Sequence, residues 1–149
     1  MAEEGVSMRE ILFRAKRLDT GEWVEGFFSS ETFYGYTPND DRVFIIQKGT
    51  GFYCPVDPAT VGQFTGLVDK NGRRIFEGDV VRHHNDNPDS EIEEKGVVFW
   101  DEKYCGWRRT SNGQFHHGIV DTYRLSPECL YEVIGNIHDN PELLEGGQA

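Results

Sequence analysis

Residues 65–81 read TGLVDKNGRRIFEGDVV, and the reading of this stretch decides the fold. Leu67 and Val68 precede a cluster of turn formers, Asp69, Lys70, Asn71 and Gly72, and Ile75 and Phe76 follow it. Asn-Gly between short apolar runs is a hairpin signal, because both residues tolerate the positive φ of a tight type I′ turn. The pattern predicts a strand over 64–68, a tip at Asn71 and Gly72, and a strand over 73–76. Gly66 and Gly78 suit bulges or close backbone approach, and side chains such as Glu77 and Asp79 accept backbone N–H groups in turns. Thr65, Gly66, Asp69, Asn71, Gly72, Glu77, Gly78 and Asp79 are therefore read as a structural hairpin motif, ahead of a ligand or partner surface.

The same logic extends in both directions. Residues 11–16 (ILFRAK) alternate roughly between apolar and basic side chains, and 23–28 (WVEGFF) repeat a loose apolar and polar alternation after the turn signal Asp19, Thr20 and Gly21. A hairpin follows, with Phe13 and Trp23 as its expected core anchors. A second hairpin is expected from 42–47 (RVFIIQ), the turn at Gly49, Thr50 and Gly51, and 52–54. Asp57 and Pro58 are placed to cap and begin a short helical turn. Beyond the signature stretch, 80–84 reads as extended and 83–90 as a polar loop. Residues 91–100 and 104–110 pair as a further hairpin, and 131–137 (YEVIGNI) form the last strand. Asn140, Pro141 and Gly146 bound about one turn of helix. Residues 29–37 read as a loop or short edge strand. Many short strands without a long helix argue a small barrel or sandwich.

Composition narrows the classes. A chain of 149 residues has the length of one domain and buries roughly 70% of its unfolded surface, so one core is expected. Hydrophobic residues at 37% and aromatics at 13% are enough to anchor it. Fifteen Lys plus Arg against 26 Asp plus Glu leave a formal charge of −11, which repels phosphate backbones and argues against nonspecific nucleic-acid binding. The longest apolar runs, 43–46 and 97–100, fall far short of the ~20 residues a membrane helix needs. Glu3 and Glu4 stand where a secretory signal carries basic residues, so a cytoplasmic location is expected. Cys54, Cys105 and Cys129 are an odd number, which fits free thiols in a reducing compartment.

The stretch 65–81 closely resembles the signature of the YopX family of phage and prophage proteins, a Thr-Gly-Leu-x-Asp-Lys-Asn-Gly hairpin leading into a Glu-Gly-Asp-hydrophobic strand. Three further pieces agree in order: 13–16 (FRAK), 96–99 before an acidic and aromatic stretch, and 133–144 (VIGNIHDNPELL). The resemblance spans residues 9–144. It implies a mainly β, compact multi-strand domain with mixed β-sandwich and small β-barrel features and only short helical turns. Residues 1–8 are expected to be disordered, and 145–149 to form a flexible tail. The resemblance carries no enzymatic activity and no catalytic residue onto this sequence.

Candidate chemistry is sparse. His83, His84, His116 and His117, with Cys105, Asp79 and Asp121, are potential metal ligands. Adjacent side chains on a strand face opposite ways, however, and no Cys-x-x-Cys or His-Glu-x-x-His spacing occurs, so no metal and no cofactor are expected. No nucleophile elbow, reactive-cysteine motif or phosphate-cradling loop is present, which argues against an enzyme. Arg73, Arg74, Arg108 and Arg109 are candidate nucleic-acid contacts, with Arg82, Trp100, Tyr104 and Trp107 as possible companions if folding gathers them on one face. The expected function is that of a phage or prophage accessory protein acting through contacts with an unidentified phage or host protein. The alternatives are a nucleic-acid-binding barrel and a metal-dependent enzyme. The aromatic cluster of Phe27, Phe28, Phe33, Tyr34 and Tyr36 predicts a homo-oligomer.

Overall fold

The structure, a computed structural model, describes residues 8–30, 42–84, 93–116 and 119–145. Expectations for residues 1–7, for Phe33, Tyr34 and Tyr36, for the polar loop at 85–90, for His117 and for the tail from Gly146 fall outside that set. The described chain is mainly β: β1 (Phe13–Lys16), β2 (Trp23–Ser29), β3 (Val43–Gln47), β4 (Tyr53–Val56), β5 (Gly62–Val68), β6 (Arg74–Phe76), β7 (Asp79–His84), β8 (Glu93–Asp101), β9 (Gly106–His116), β10 (Ile119–Arg124) and β11 (Glu132–Asn136). A 3-10 turn at Pro58–Thr60 and a short helix α1 (Glu142–Glu145) complete it. The chain divides into two compact units, residues 1–66 and 67–149. Where length predicts one core, each unit carries its own cluster of buried apolar side chains.

In the first unit the strands lie in the order β4-β3-β2-β1-β5, with each neighbouring pair antiparallel. Register sets Phe13 beside Gly26, Ala15 beside Val24, and Ile45 beside Cys54, so one face collects Ala15, Val24, Ile45, Cys54 and Val56. Fully burying a Val or Ile side chain such as Val24, Ile45 or Val56 contributes about 1.5–3 kcal/mol. Phe13 packs against the cluster as expected, but Trp23 does not. Trp23 pairs with Lys16 rather than with an odd-numbered partner on the core side, and this register turns it to the opposite face. There Arg14 and Lys16 stand over its ring at 4.7 and 5.5 Å.

The first sheet curls towards closure. Arg17 bridges Val56, Leu18 N–H donates to the Pro55 carbonyl at 3.0 Å, and Asp57 N–H donates to the Lys16 carbonyl at 2.9 Å. These bonds tie the end of β1 to β4, a barrel-like feature without a closed barrel. Asp57 caps the 3-10 turn as the sequence predicts, accepting from Ala59 N–H with Pro58 at the first position. The turn delivers Thr60, whose hydroxyl accepts from Lys16 N–H at 2.9 Å.

The second unit is built on an antiparallel sheet in the order β10-β9-β8-β7-β11. Ile75, Val81, Val98, Leu125, Tyr131 and Val133 form its core, with Leu67, Trp107 and Cys129 packed against it. Strand β10 has no counterpart in the sequence reading. Its register shifts between Val120 and Thr122, and the resulting bulge breaks the period-two alternation that would have revealed it.

Candidate functional site

The signature hairpin is organised by one carboxylate. Asp69 Oδ1 accepts from Asn71 N–H at 2.9 Å and from Arg73 N–H at 2.8 Å, while Asp69 N–H donates to the Arg73 carbonyl at 2.7 Å. Gly72 N–H donates back to the Asp69 carbonyl at 3.0 Å. Only Gly72 in this turn has a positive φ, +80°, so the expected type I′ turn with Asn71 at positive φ is corrected. The geometry is that of a three-residue loop, a type I turn followed by a left-handed glycine. The physical reason is the Asp69 side chain, which captures the Asn71 N–H and favours negative φ there.

The second carboxylate oxygen reaches across the chain. Asp69 Oδ2 accepts from Val133 N–H at 3.1 Å, and Lys70 N–H donates to the Tyr131 carbonyl at 2.8 Å. Burial pushes the Asp69 carboxyl up, but the N–H groups of Val133, Arg73 and Asn71 and the Arg73 charge outweigh it and hold the group below its ordinary value. The turn after β6 works in the same way. Asp79 is fully buried, and its Oδ2 accepts from Phe76 N–H at 2.8 Å. Gly78, at φ +89°, donates to the Val98 carbonyl and accepts from Ile137 N–H. Asn136 then folds the end of β11, its Oδ1 accepting from His138 and Asp139 N–H groups at 3.0 and 2.9 Å. Thus the two stretches singled out by the resemblance, 65–81 and 133–144, are hydrogen-bonded to each other. Thr65 is buried in β5, Gly66 has φ +90°, and Glu77 lies half-buried in the turn.

The four arginines do not share one face. Arg108 and Arg109 are consecutive in β9 and project to opposite sides. Arg109 is buried and pairs with Glu94 at 2.9 Å beneath the ring of Tyr123. Arg108 donates to the Thr122 hydroxyl at 3.0 Å and to the Thr122 carbonyl at 2.8 Å. Arg73 is exposed at the signature turn, and Arg74 is half-buried in β6. Arg82 pairs with Glu132 at 2.6 Å, and this contact, with Lys70 nearby, lowers the Glu132 carboxyl.

Sequence reading did not foresee two groupings. On the core side of the second sheet, His83 sits 3.8 Å from Glu94 and stacks near Tyr131, 5.7 Å between ring centres. Burial raises the Tyr131 phenol, which accepts from Ser126 N–H at 3.2 Å. At the β8–β9 tip, Trp100 and Trp107 meet edge to face at 5.1 Å, and Arg108 stands 4.3 Å over the ring of Tyr104. Trp100 remains 45% exposed and Tyr104 59%. The cross-strand pair Trp100↔Trp107 was legible only as a spacing around a short turn.

Among the described residues no group of three His, Cys, Asp or Glu side chains lies within reach of a common metal ion. Cys105 is exposed in the β8–β9 turn and Asp79 is committed to its own turn, while the side chains of His84, His116 and Asp121 are outside the described set. Cys54, Cys105 and Cys129 are free thiols. No described helix is long and apolar enough to cross a membrane.

No curated protein matches the chain. A solved structure, that of protein EF1440 from Enterococcus faecalis, is similar at 22% identity over 92% of this chain and 99% of that one. Its TM-score is 0.48, and the likeness carries no functional argument. The family described as YopX protein matches residues 12–145, nearly the whole chain and both signature stretches. The chain therefore belongs to the YopX family.

Proposed function

We propose that this chain is a phage or prophage accessory protein that acts in the bacterial cytoplasm through contact with another protein. The observation that carries this reading is the β8–β9 tip. Trp, Tyr and Arg are the residues enriched at protein–protein hot spots, and here Trp100, Tyr104 and Arg108 are gathered around one short turn with two of the rings open to solvent. The turn holds them firmly: Asp101 Oδ1 accepts from Lys103 N–H at 2.9 Å, and Arg108 is fixed to Thr122. A partner meeting this tip gains apolar area with little side-chain ordering left to offset.

The test is affinity capture of the full chain from a prophage-bearing host, in parallel with Trp100→Ala and Tyr104→Ala. The expected result is a specific protein that is retained after nuclease treatment and lost with both substitutions, while their melting temperatures stay close to that of the parent. Retention of the same protein by both variants overturns the role of the tip. A nucleic-acid platform is the competing reading, favoured by Lys103 and Arg108 over the Tyr104 ring. Capture that disappears with nuclease supports it instead.

A further inference from the structure

Strand pairing sets two arginines side by side in the second sheet. Arg108 of β9 lies directly opposite Arg124 of β10, and such partners have Cβ atoms about 5 Å apart. Trp107 and Leu125, the next residues along each strand, belong to the core side, so both arginines point away from it. Like charges in this position repel and weaken the pairing. Arg108 is mostly covered, its side chain 17% exposed, whereas Arg124 is open to solvent. Neutral groups hold Arg108: the Thr122 hydroxyl and carbonyl accept from it, and the Tyr104 ring lies against it. The Asp101 carboxylate stays 3.8 Å from Arg108 Nε, beyond hydrogen-bond distance, and its other oxygen is engaged by the Lys103 N–H. Lys103 Nζ lies 5.5 Å from the centre of the Tyr104 ring. Among the described residues Arg124 has neither a carboxylate nor a hydrogen-bond partner.

We propose that Arg124 and Arg108 receive side-chain carboxylates of an acidic segment in the partner protein, which rests on the reading of the β8–β9 tip as a protein contact. A carboxylate between the two guanidinium groups relieves their repulsion and forms charge-assisted hydrogen bonds, which a planar guanidinium makes in pairs. A neutral partner covering Arg124 would desolvate its charge without compensation. The phosphate backbone of a nucleic acid fits less well, because it needs cations that continue along its track. Here Arg109 is buried on the opposite face, and Arg73 and Arg74 belong to a different hairpin. The net charge of −11 also repels a long acidic run, so the matching segment carries few carboxylates set among apolar residues that can meet Tyr104 and Trp100.

A short capped peptide of alternating Glu and Leu, titrated into the full chain and followed by the arginine side-chain N–H resonances in NMR spectra, tests the proposal. The expected result is a saturable shift of the Arg108 and Arg124 resonances that the matching Gln and Leu peptide does not produce. Arg124→Gln weakens the peptide about tenfold, the scale of a charge-assisted hydrogen bond, and Arg73→Gln leaves binding unchanged. Arg124 is exposed, so its variant keeps the parent melting temperature. No shift at millimolar peptide overturns the proposal, as does an equal response to the Gln peptide or tighter binding of an oligothymidylate of the same charge. In the capture experiment, a protein lost with Trp100→Ala and Tyr104→Ala but retained by Arg124→Gln overturns the carboxylate site and leaves the protein contact at the tip standing.

Discussion

Two hairpin turns of the second unit share one local device and put it to different uses. In the β5–β6 turn Asp69 Oδ1 accepts from N–H groups two and four residues on; in the β8–β9 turn Asp101 Oδ1 accepts from Lys103 and Tyr104 N–H groups at 2.9 and 3.4 Å. Both turns include a left-handed residue, Gly72 at φ +80° and Cys105 at φ +48°. They part at the second carboxylate oxygen. Asp69 is buried and bonds Val133, 64 residues away, which blocks the outer edge of β11. Asp101 Oδ2 lies 3.8 Å from Arg108 Nε, and its turn lifts Trp100 and Tyr104 into solvent. An aspartate-led turn is thus a lock when its spare oxygen is buried against a distant strand, and a display when that oxygen stays local.

The comparison breaks first at Asp69. Asp69→Ala strands three N–H groups and is expected to cost about 3 kcal/mol in urea unfolding, against about 1 kcal/mol or less for Asp101→Ala. Equal losses at the two sites would show that the cross-chain bond to Val133 adds nothing.

Acid sharpens the same contrast. Because the folded-state Asp69 carboxyl is held below its ordinary value, its contribution is fully present above the unfolded value and is lost as pH falls through the folded one. The stability gap between the parent and Asp69→Asn is therefore expected to be constant at neutral pH and to close below about pH 4. A gap that is flat down to the lowest pH of reversible unfolding would contradict this.

The left-handed residues give the smaller effects. Gly72→Val places a β-branched side chain at positive φ and should cost about 2 kcal/mol, read as a fall in melting temperature of several degrees. Cys105→Gly relieves the same strain but loosens the unfolded chain, for a net gain of no more than about 1 kcal/mol. If Cys105→Gly destabilises the protein, the thiol contact from Cys105 to the Glu102 carbonyl at 3.4 Å matters more than backbone strain.

Much of this molecule is written locally. The alternation in 11–16 and 23–28, the turn formers at 69–72 and the Asp57-Pro58 cap each act over a few residues, so the mainly β class, several of the hairpins, the 3-10 turn and the family were legible from the chain alone. Period two also explains why Arg108 and Arg109 part company, although that follows only once both are known to lie inside one strand. Other outcomes depend on pairing partners that no local pattern names. Register turned Trp23 away from the core, a bulge beyond Val120 hid β10, and the reach of Asp69 to Val133 joined the two signature stretches. The physical reason is common to all three. A residue's face, its bulges and the acceptor for a buried N–H are set by the neighbouring strand, and that neighbour is chosen when the sheet assembles.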